Sequence, residues 1–201
     1  MAEYVTSDWH FGHSNLCNLL DTRKEYIGNI ESMNETIIKN INKVVNNNDT
    51  LYCLGDISMF SNKDKVLDLV SRINGRIVFV LGNHDTQNMF NYLEKNNYLL
   101  PNGLYKFVIE PLGVIIRKNK KTYYLTHYAY DLGEYRKNIR SIHGHIHANP
   151  SLKANALNIS IDSPEIPQDI PFGQPILVDT AIELVEAKWE KWSLAQKNEK
   201  E

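Results

Sequence analysis

The feature that most constrains this 201-residue chain is where its histidines fall, because short apolar segments repeatedly run out on polar motifs. Residues 3–6 lead into Asp8-Trp9-His10, 50–54 into Gly55-Asp56, and 76–81 into Gly82-Asn83-His84-Asp85. Further on, 122–125 lead to His127 and 140–142 to His143-Gly144-His145-Ile146-His147. Short apolar segments bounded by turn residues read as buried strands. Helical patterns separate the first three of them. At 31–45, Ile37, Ile38, Ile41, Val44 and Val45 share one face, and at 62–72 the apolar face is Val66, Leu67, Leu69 and Val70. This alternation predicts an α/β fold whose parallel strands deliver the motifs at their carboxyl ends.

After a helix predicted at 88–95 the texture changes. Leu104–Ile109, Val114–Arg117 and Thr122–Leu125 read as consecutive strands, joined by Pro111-Leu112-Gly113 and Lys118-Asn119-Lys120, connections short enough for hairpins. With Arg140–Ile142 and Ala156–Ile161 they imply a second, more antiparallel sheet packed face to face with the first. Pro164, Pro167, Pro171 and Pro175 exclude regular helix and central strand from 163–175, which is expected to be an ordered loop. Ile182, Val185, Trp189 and Trp192 then share a face of a C-terminal helix at about 178–194, with 197–201 expected to fray. A single domain over 1–201 is expected, since single cores commonly run to about 200 residues.

A net charge of -2 gives no basic field for long-range capture of nucleic acid. The lysines at 118, 120 and 121 and the group Arg136, Lys137 and Arg140 read instead as solvated faces. No apolar stretch approaches the roughly 18 residues of a membrane span, and Met1-Ala2-Glu3-Tyr4-Val5 lacks the cationic start of a leader. No membrane partner and a cytoplasmic location are therefore expected. Cys17 and Cys53 fit reduced, buried thiols better than a disulfide framework.

Asp8 and His10 stand two apart, as do His145 and His147, so on continuing strands each pair would share a face, with Ile146 pointing the other way into the core. Mixed imidazole and carboxylate suits Mn, Fe or Zn, whereas all-oxygen sets suit Ca or Mg and cysteine sets suit structural Zn. Asn83 adds a neutral amide oxygen that holds a cation without repelling an anion.

The ordered series DxH, GD, GNHD, H and GHxH, running from Asp8 to His147, closely resembles the calcineurin-like metallophosphoesterases. That resemblance implies a four-layer α/β/β/α sandwich of two mixed sheets flanked by helices. It implies that Asp8, His10 and His147 hold one ion while Asn83, His127 and His145 hold a second. Asp56 would bridge the two and serve in catalysis, with His84 protonating or orienting the leaving group. The cofactors implied are two divalent transition-metal ions, Mn foremost, with Fe, Zn or Ni as the others. The substrate expected is a small phosphate ester or nucleotide, through phosphodiesterase or phosphatase chemistry, with His13, Asn15 and Tyr128 as candidates to line its place. His143 is expected to support the site as a neighbour.

One departure narrows the family. The protein-dephosphorylating branch carries GDxxDRG, but Ile57-Ser58-Met59-Phe60 follows Asp56, which removes the carboxylate that would orient the general-acid histidine. Asp85 is the candidate substitute. Two alternatives stay open: a nuclease acting on single-stranded nucleic acid, and a non-catalytic metal-binding scaffold. The sequence fixes no oligomeric state.

Overall fold

The computed structural model describes residues 1–131 and 137–198, so Arg136 and the last three residues of the expected frayed end lie outside the described residues. The elements run β1 (Glu3–Thr6), α1 (Ser14–Leu19), a 3-10 helix Asp21–Tyr26, α2 (Ile30–Val44), β2 (Thr50–Cys53), α3 (Lys63–Ser71), β3 (Arg76–Val80) and α4 (Gln87–Lys95). They continue as β4 (Phe107–Glu110), β5 (Val114–Lys118), β6 (Lys121–Thr126), β7 (Ile139–His143), β8 (Ala156–Asn158), β9 (Ile176–Leu177) and α5 (Val178–Asn198).

The first sheet has the order β4-β3-β2-β1-β9, with β1 to β4 parallel and β9 antiparallel on β1. Alternate residues serve its two faces. Leu51, Cys53, Ile77 and Phe79 meet the apolar faces of α2, α3 and α4, while Val5, Leu54 and Val80 point to the second sheet. Helix α2 starts where the Asn29 side chain accepts the Ser32 amide, and it buries Met33, Ile37, Ile38 and Ile41. Each such isoleucine contributes about 1.5–3 kcal/mol relative to exposure. Both cysteines are buried and free.

The second sheet, β5-β6-β7-β8, corrects two expectations. Only β5 and β6 pair antiparallel; β6, β7 and β8 are parallel, because long connections and not hairpins join them. The segment expected to open this sheet, Leu104–Ile109, instead forms a strand at Phe107–Glu110 that pairs parallel with β3, where Phe107 packs on Phe79 at 5.9 Å. Residues 111–113 therefore carry the chain from one sheet to the other and close no hairpin. Asn119 and Lys120, with φ of 52° and 60°, form the one expected hairpin turn that is present, of the mirror-image kind that suits strand twist. Strand β8 is also shorter than the expected Ala156–Ile161. Two sheets flanked by helices remain, as the sandwich requires.

Helix α5 packs on β1, β7, β8 and β9, burying Val178, Ala181, Ile182 and Val185, whereas Trp189 and Trp192 lie half-buried against one another. It is longer than expected. Its anchor is Glu186, which accepts hydrogen bonds from Lys121 Nζ (2.5 Å), Tyr123 OH (3.0 Å) and the fully buried Arg140 (2.9 Å). No helix of the described residues is long and apolar enough to cross a membrane.

Removing one partner of a buried pair leaves the other charge uncompensated. Glu186→Ala is thus expected to lower the free energy of unfolding by about 3 kcal/mol, read by urea denaturation, because Arg140 loses its carboxylate. A loss below about 0.5 kcal/mol would show that the anchor is dispensable.

Candidate metal centre

The parallel strands end at one edge, and the two sheets are joined there by a bridge between Ser7 and Ser160, with the Ile161 amide donating to the Ser7 carbonyl at 3.2 Å. The loop after β1 is tied to the loop after β2 by three amides: Asp8 to Gly55 O, His10 to Asp56 O and Phe11 to Ile57 O, at 3.0, 3.0 and 2.9 Å. Beyond the strands the backbone does not stay extended. Asp8, His10, Asp56, His145 and His147 all have positive φ, at 62°, 50°, 54°, 73° and 46°. Left-handed backbone is costly for such residues and persists only where the surroundings over-determine it, typically at functional sites.

These turns change how the paired histidines are used. His145 and His147 do not share a target, and Ile146 is half-buried instead of entering the core. One donor atom each from Asp8, His10 and His147 lie within 4.8 Å of one another, and Asp56, His127 and His145 form a second such group. The Asn83 side-chain oxygen lies 2.8 Å from both His127 Nε2 and His145 Nδ1, which adds it to the second group. Asp56 stands between the groups: its Oδ2 is 3.4 Å from His10 Nε2 and 3.5 Å from His127 Nε2.

Two imidazoles are aimed by hydrogen bonds on their far nitrogen. His127 Nδ1 donates to the Leu54 carbonyl at 2.8 Å, and His147 Nδ1 to Asp162 at 3.1 Å, which leaves each Nε2 lone pair directed inward. Burial opposes ionisation of Asp56, but the neighbouring imidazoles of His10 and His127 and the His84 amide outweigh it and bring its pKa to about 2. Burial likewise pushes His10 down to about 4 and lowers His145, keeping both neutral, while it raises the wholly buried Asp8. His10 Nε2 is buried without a hydrogen-bond partner among the described residues. A lone pair stranded next to carboxylates is costly to a protein unless a cation completes it, so these residues fit a divalent metal.

Two motif glycines are required by close approach. A Cβ at Gly82 would collide with Asp56 Oδ1, and one at Gly144 with Ser7 Oγ and Asp8 Oδ2. With no side chain there, the carboxylates sit against backbone: Asp56 Oδ1 accepts the His84 amide at 2.8 Å, and both Asp8 oxygens lie 3.1 Å from the His145 amide.

Asp85 does not orient His84, as the sequence had suggested. It accepts the amides of Asp56, Ile57 and Gly82 at 2.8, 2.9 and 2.9 Å, so its carboxylate is consumed in fastening the two loops together. His84 is exposed, with its ring 5.3 Å from that of His10 and 6.0 Å from that of His13. His13 Nδ1 lies 3.2 Å from His10 Nδ1. Tyr128, 50% exposed, packs its ring on His127 and His145 at 5.0 and 4.7 Å. Asn15 is exposed on α1, two residues after His13. His143 is buried at the end of β7, its Nδ1 donating to the Gly144 carbonyl at 2.8 Å.

Sequence reasoning missed Arg23 and Asp162. The Arg23 guanidinium is wholly buried; it donates to the carbonyls of Asp8 (2.6 Å) and Trp9 (2.9 Å) and pairs with Asp162 at 2.8 Å. Asp162 also accepts from Thr22 at 2.5 Å and from His147, and Arg23 beside it holds its carboxyl far below the usual range against the cost of burial. Neither belongs to a recognisable motif, since Arg23 lies in a polar 3-10 helix and Asp162 opens the proline-rich segment. The only hint was an arginine or acid next to segments with no evident partner for it.

Carboxylates that aim a ligand histidine affect metal affinity by about 10–100-fold. Asp162→Asn keeps an acceptor for Arg23 but loses the charge behind His147, so affinity for added Mn(II), used as the probe, is expected to fall by that factor in calorimetric titration. An unchanged isotherm would reduce Asp162 to a packing role.

Comparison with other proteins bears on the family. The family model for calcineurin-like phosphoesterase matches residues 4–175. Uncharacterized protein MJ1445 of Methanocaldococcus jannaschii is 32% identical over 184 residues, covering 91% of this chain and 90% of that protein. The Gene 66 protein of Mycobacterium phage L5 is 36% identical over 84 residues, 41% of this chain and 39% of the phage protein. Among solved structures, the protein of unknown function AQ665 from Aquifex aeolicus superposes with a TM-score of 0.63 at 26% identity, covering 91% of this chain and 98% of that one. The chain belongs to the calcineurin-like phosphoesterase family.

Proposed function

We propose that the protein is a two-metal hydrolase of phosphate esters, acting as a phosphodiesterase or phosphatase on a small or nucleotide substrate. The observation that carries this reading is Asp56 Oδ2, set between an imidazole of one donor group and an imidazole of the other. That is the placement of a carboxylate shared by two cations. Asp8, His10 and His147 would hold one ion, Asn83, His127 and His145 the other, and Mn, Fe, Zn or Ni suits such mixed donors. Two ions so held supply an activated water and positive charge for the phosphoryl oxygens.

The chain's own residues do the rest. Imidazole donors and Asn83 add no negative charge to that of Asp8 and Asp56 in the two donor groups, so repulsion of a phosphate is kept low. His84, exposed at the rim and fixed through its amide to Asp56, is positioned to give a proton to the departing oxygen. His13 and Tyr128 stand on opposite sides of the centre, near His84 and His145 respectively, as candidate contacts to substrate. Long nucleic acid is not favoured, because three of the basic residues that would grip it are otherwise engaged: Lys118 pairs with Asp179 at 2.5 Å, Lys121 pairs with Glu186, and Arg140 is buried.

Metal-stripped protein supplied with Mn(II) is expected to hydrolyse bis(4-nitrophenyl) phosphate and, in parallel, to be tested on the 4-nitrophenyl monoester to rank the two. Asp56→Asn should reduce turnover by more than about 100-fold with the fold intact by circular dichroism, a larger loss than removal of a supporting residue gives. His84→Ala should cost about 10²–10⁴-fold on alkyl esters and far less on nitrophenyl esters, whose leaving groups need no proton. Equal losses on both would make His84 a binding residue, and metal-independent turnover would overturn the mechanism.

A further inference from the structure

Beside His84, whose ring stands 5.3 Å from that of His10, lies a cavity of about 350 Å³, with Met59 and Phe60 forming one stretch of its wall and Lys63 and Asn88 also lining it. That stretch is rigid. The Met59 amide and the Ser58 hydroxyl both donate to the Phe11 carbonyl, at 2.9 and 3.1 Å, so the 57–60 loop moves with the loop that carries His10. Gly12 makes room for Phe60, because a Cβ there would lie 2.5 Å from the ring. Met59 nevertheless remains 43% exposed, an apolar thioether presented to the cavity and not to the core.

Lys63 stands apart from its neighbours. Lys24, Lys65 and Arg72 each pair with a carboxylate, at 2.5, 2.7 and 2.5 Å. Lys63 makes no ion pair among the described residues, its recorded contact being the Tyr92 ring at 5.9 Å. It is also the first residue of α3, next to the Asn62 cap, where the helix dipole disfavours a cation. A positive charge left unneutralised at an unfavourable helix position, on the rim of a cavity that starts at the candidate proton donor, is complementary to an anion.

We infer that this cavity receives the leaving portion of the substrate and selects a nucleoside that carries a further phosphate, its base against Met59 and Phe60 and its phosphate on Lys63. The inference rests on the phosphodiesterase reading above and extends it to the substrate's far side. The Met59 thioether and the Phe60 ring, which carries Lys65 Nζ 4.0 Å from its centroid, favour an apolar planar group without reading its hydrogen-bonding edge, so base identity matters little here. In the reaction the water oxygen bonds to phosphorus, the bond from phosphorus to the leaving nucleoside's oxygen breaks, and a proton ends on that oxygen as the hydroxyl of the released nucleotide.

The test uses the full-length Mn(II)-loaded enzyme with dithymidine monophosphate and its two forms bearing one terminal phosphate, at the 5′ or the 3′ end. One phosphorylated form is expected to have a KM about tenfold below that of the unphosphorylated dinucleotide, the size of one charge-assisted contact. Lys63→Gln should abolish that preference and Lys63→Arg should keep it. Asn88→Trp, which fills the cavity from an exposed position, should raise KM for the dinucleotides more than for methyl 4-nitrophenyl phosphate. Cleavage of all three dinucleotides with equal KM, or a preference that survives Lys63→Gln, overturns the subsite and leaves the phosphodiesterase reading standing. If wild type cleaves neither these nor bis(4-nitrophenyl) phosphate, both fall.

Discussion

The site depends on how one carboxylate is held. Asp56 is buried beneath two loops, with a left-handed backbone, its amide fastened to Asp85 and one oxygen fastened to the His84 amide. Only the other oxygen is left to face His10 and His127. Remove any of these restraints and the side chain could turn toward a single donor group. Gly82 belongs to the same device, since any side chain there would occupy the space of Asp56 Oδ1. The glycine, the asparagine and the half-buried aspartate of the Gly82–Asp85 motif thus have separate physical jobs: clearance, an amide oxygen, and a backbone clamp.

The second dependence is long-range. Ligand candidates come from both sheets, so the site exists only if the sheets meet at a fixed angle and register. The Ser7–Ser160 bridge joins their edges, and the Arg23–Asp162 pair braces the joint by linking the carbonyls of Asp8 and Trp9 to the ring of His147. A buried pair of this kind is weak evidence for stability, because desolvation offsets attraction. Its value here is orientation: a fork of five donors satisfied by two carbonyls, one carboxylate and the Met33 thioether admits one geometry.

How much of this could be read beforehand follows from which interactions are local. Strand ends and helices such as α2, with Ile37, Ile38 and Ile41 on one face, are written in periodicity and were legible. So was the list of residues that converge, because the motif order is distinctive. The partner of Phe107–Glu110 was not, since a short apolar strand carries no mark of which sheet it joins; packing of Phe107 on Phe79 decided it. Strand periodicity also misled at His145 and His147, where the backbone turns left-handed and the two imidazoles enter different donor groups, whereas Asp8 and His10, equally left-handed, share one group as their spacing suggested. Arg23 and Asp162 were invisible because their partnership spans the chain from the 3-10 helix to the far loop, and Asp85 was misassigned because its three backbone donors come from tertiary structure.

What the arrangement would do chemically turns on whether Asp56 serves two cations at once. Crystals of the protein soaked in MnCl₂, with anomalous scattering recorded at the Mn absorption edge, are expected to give two peaks about 3.5–4 Å apart, flanking Asp56 Oδ2. A single peak, or two peaks with Asp56 outside the coordination of either, contradicts the shared-carboxylate site.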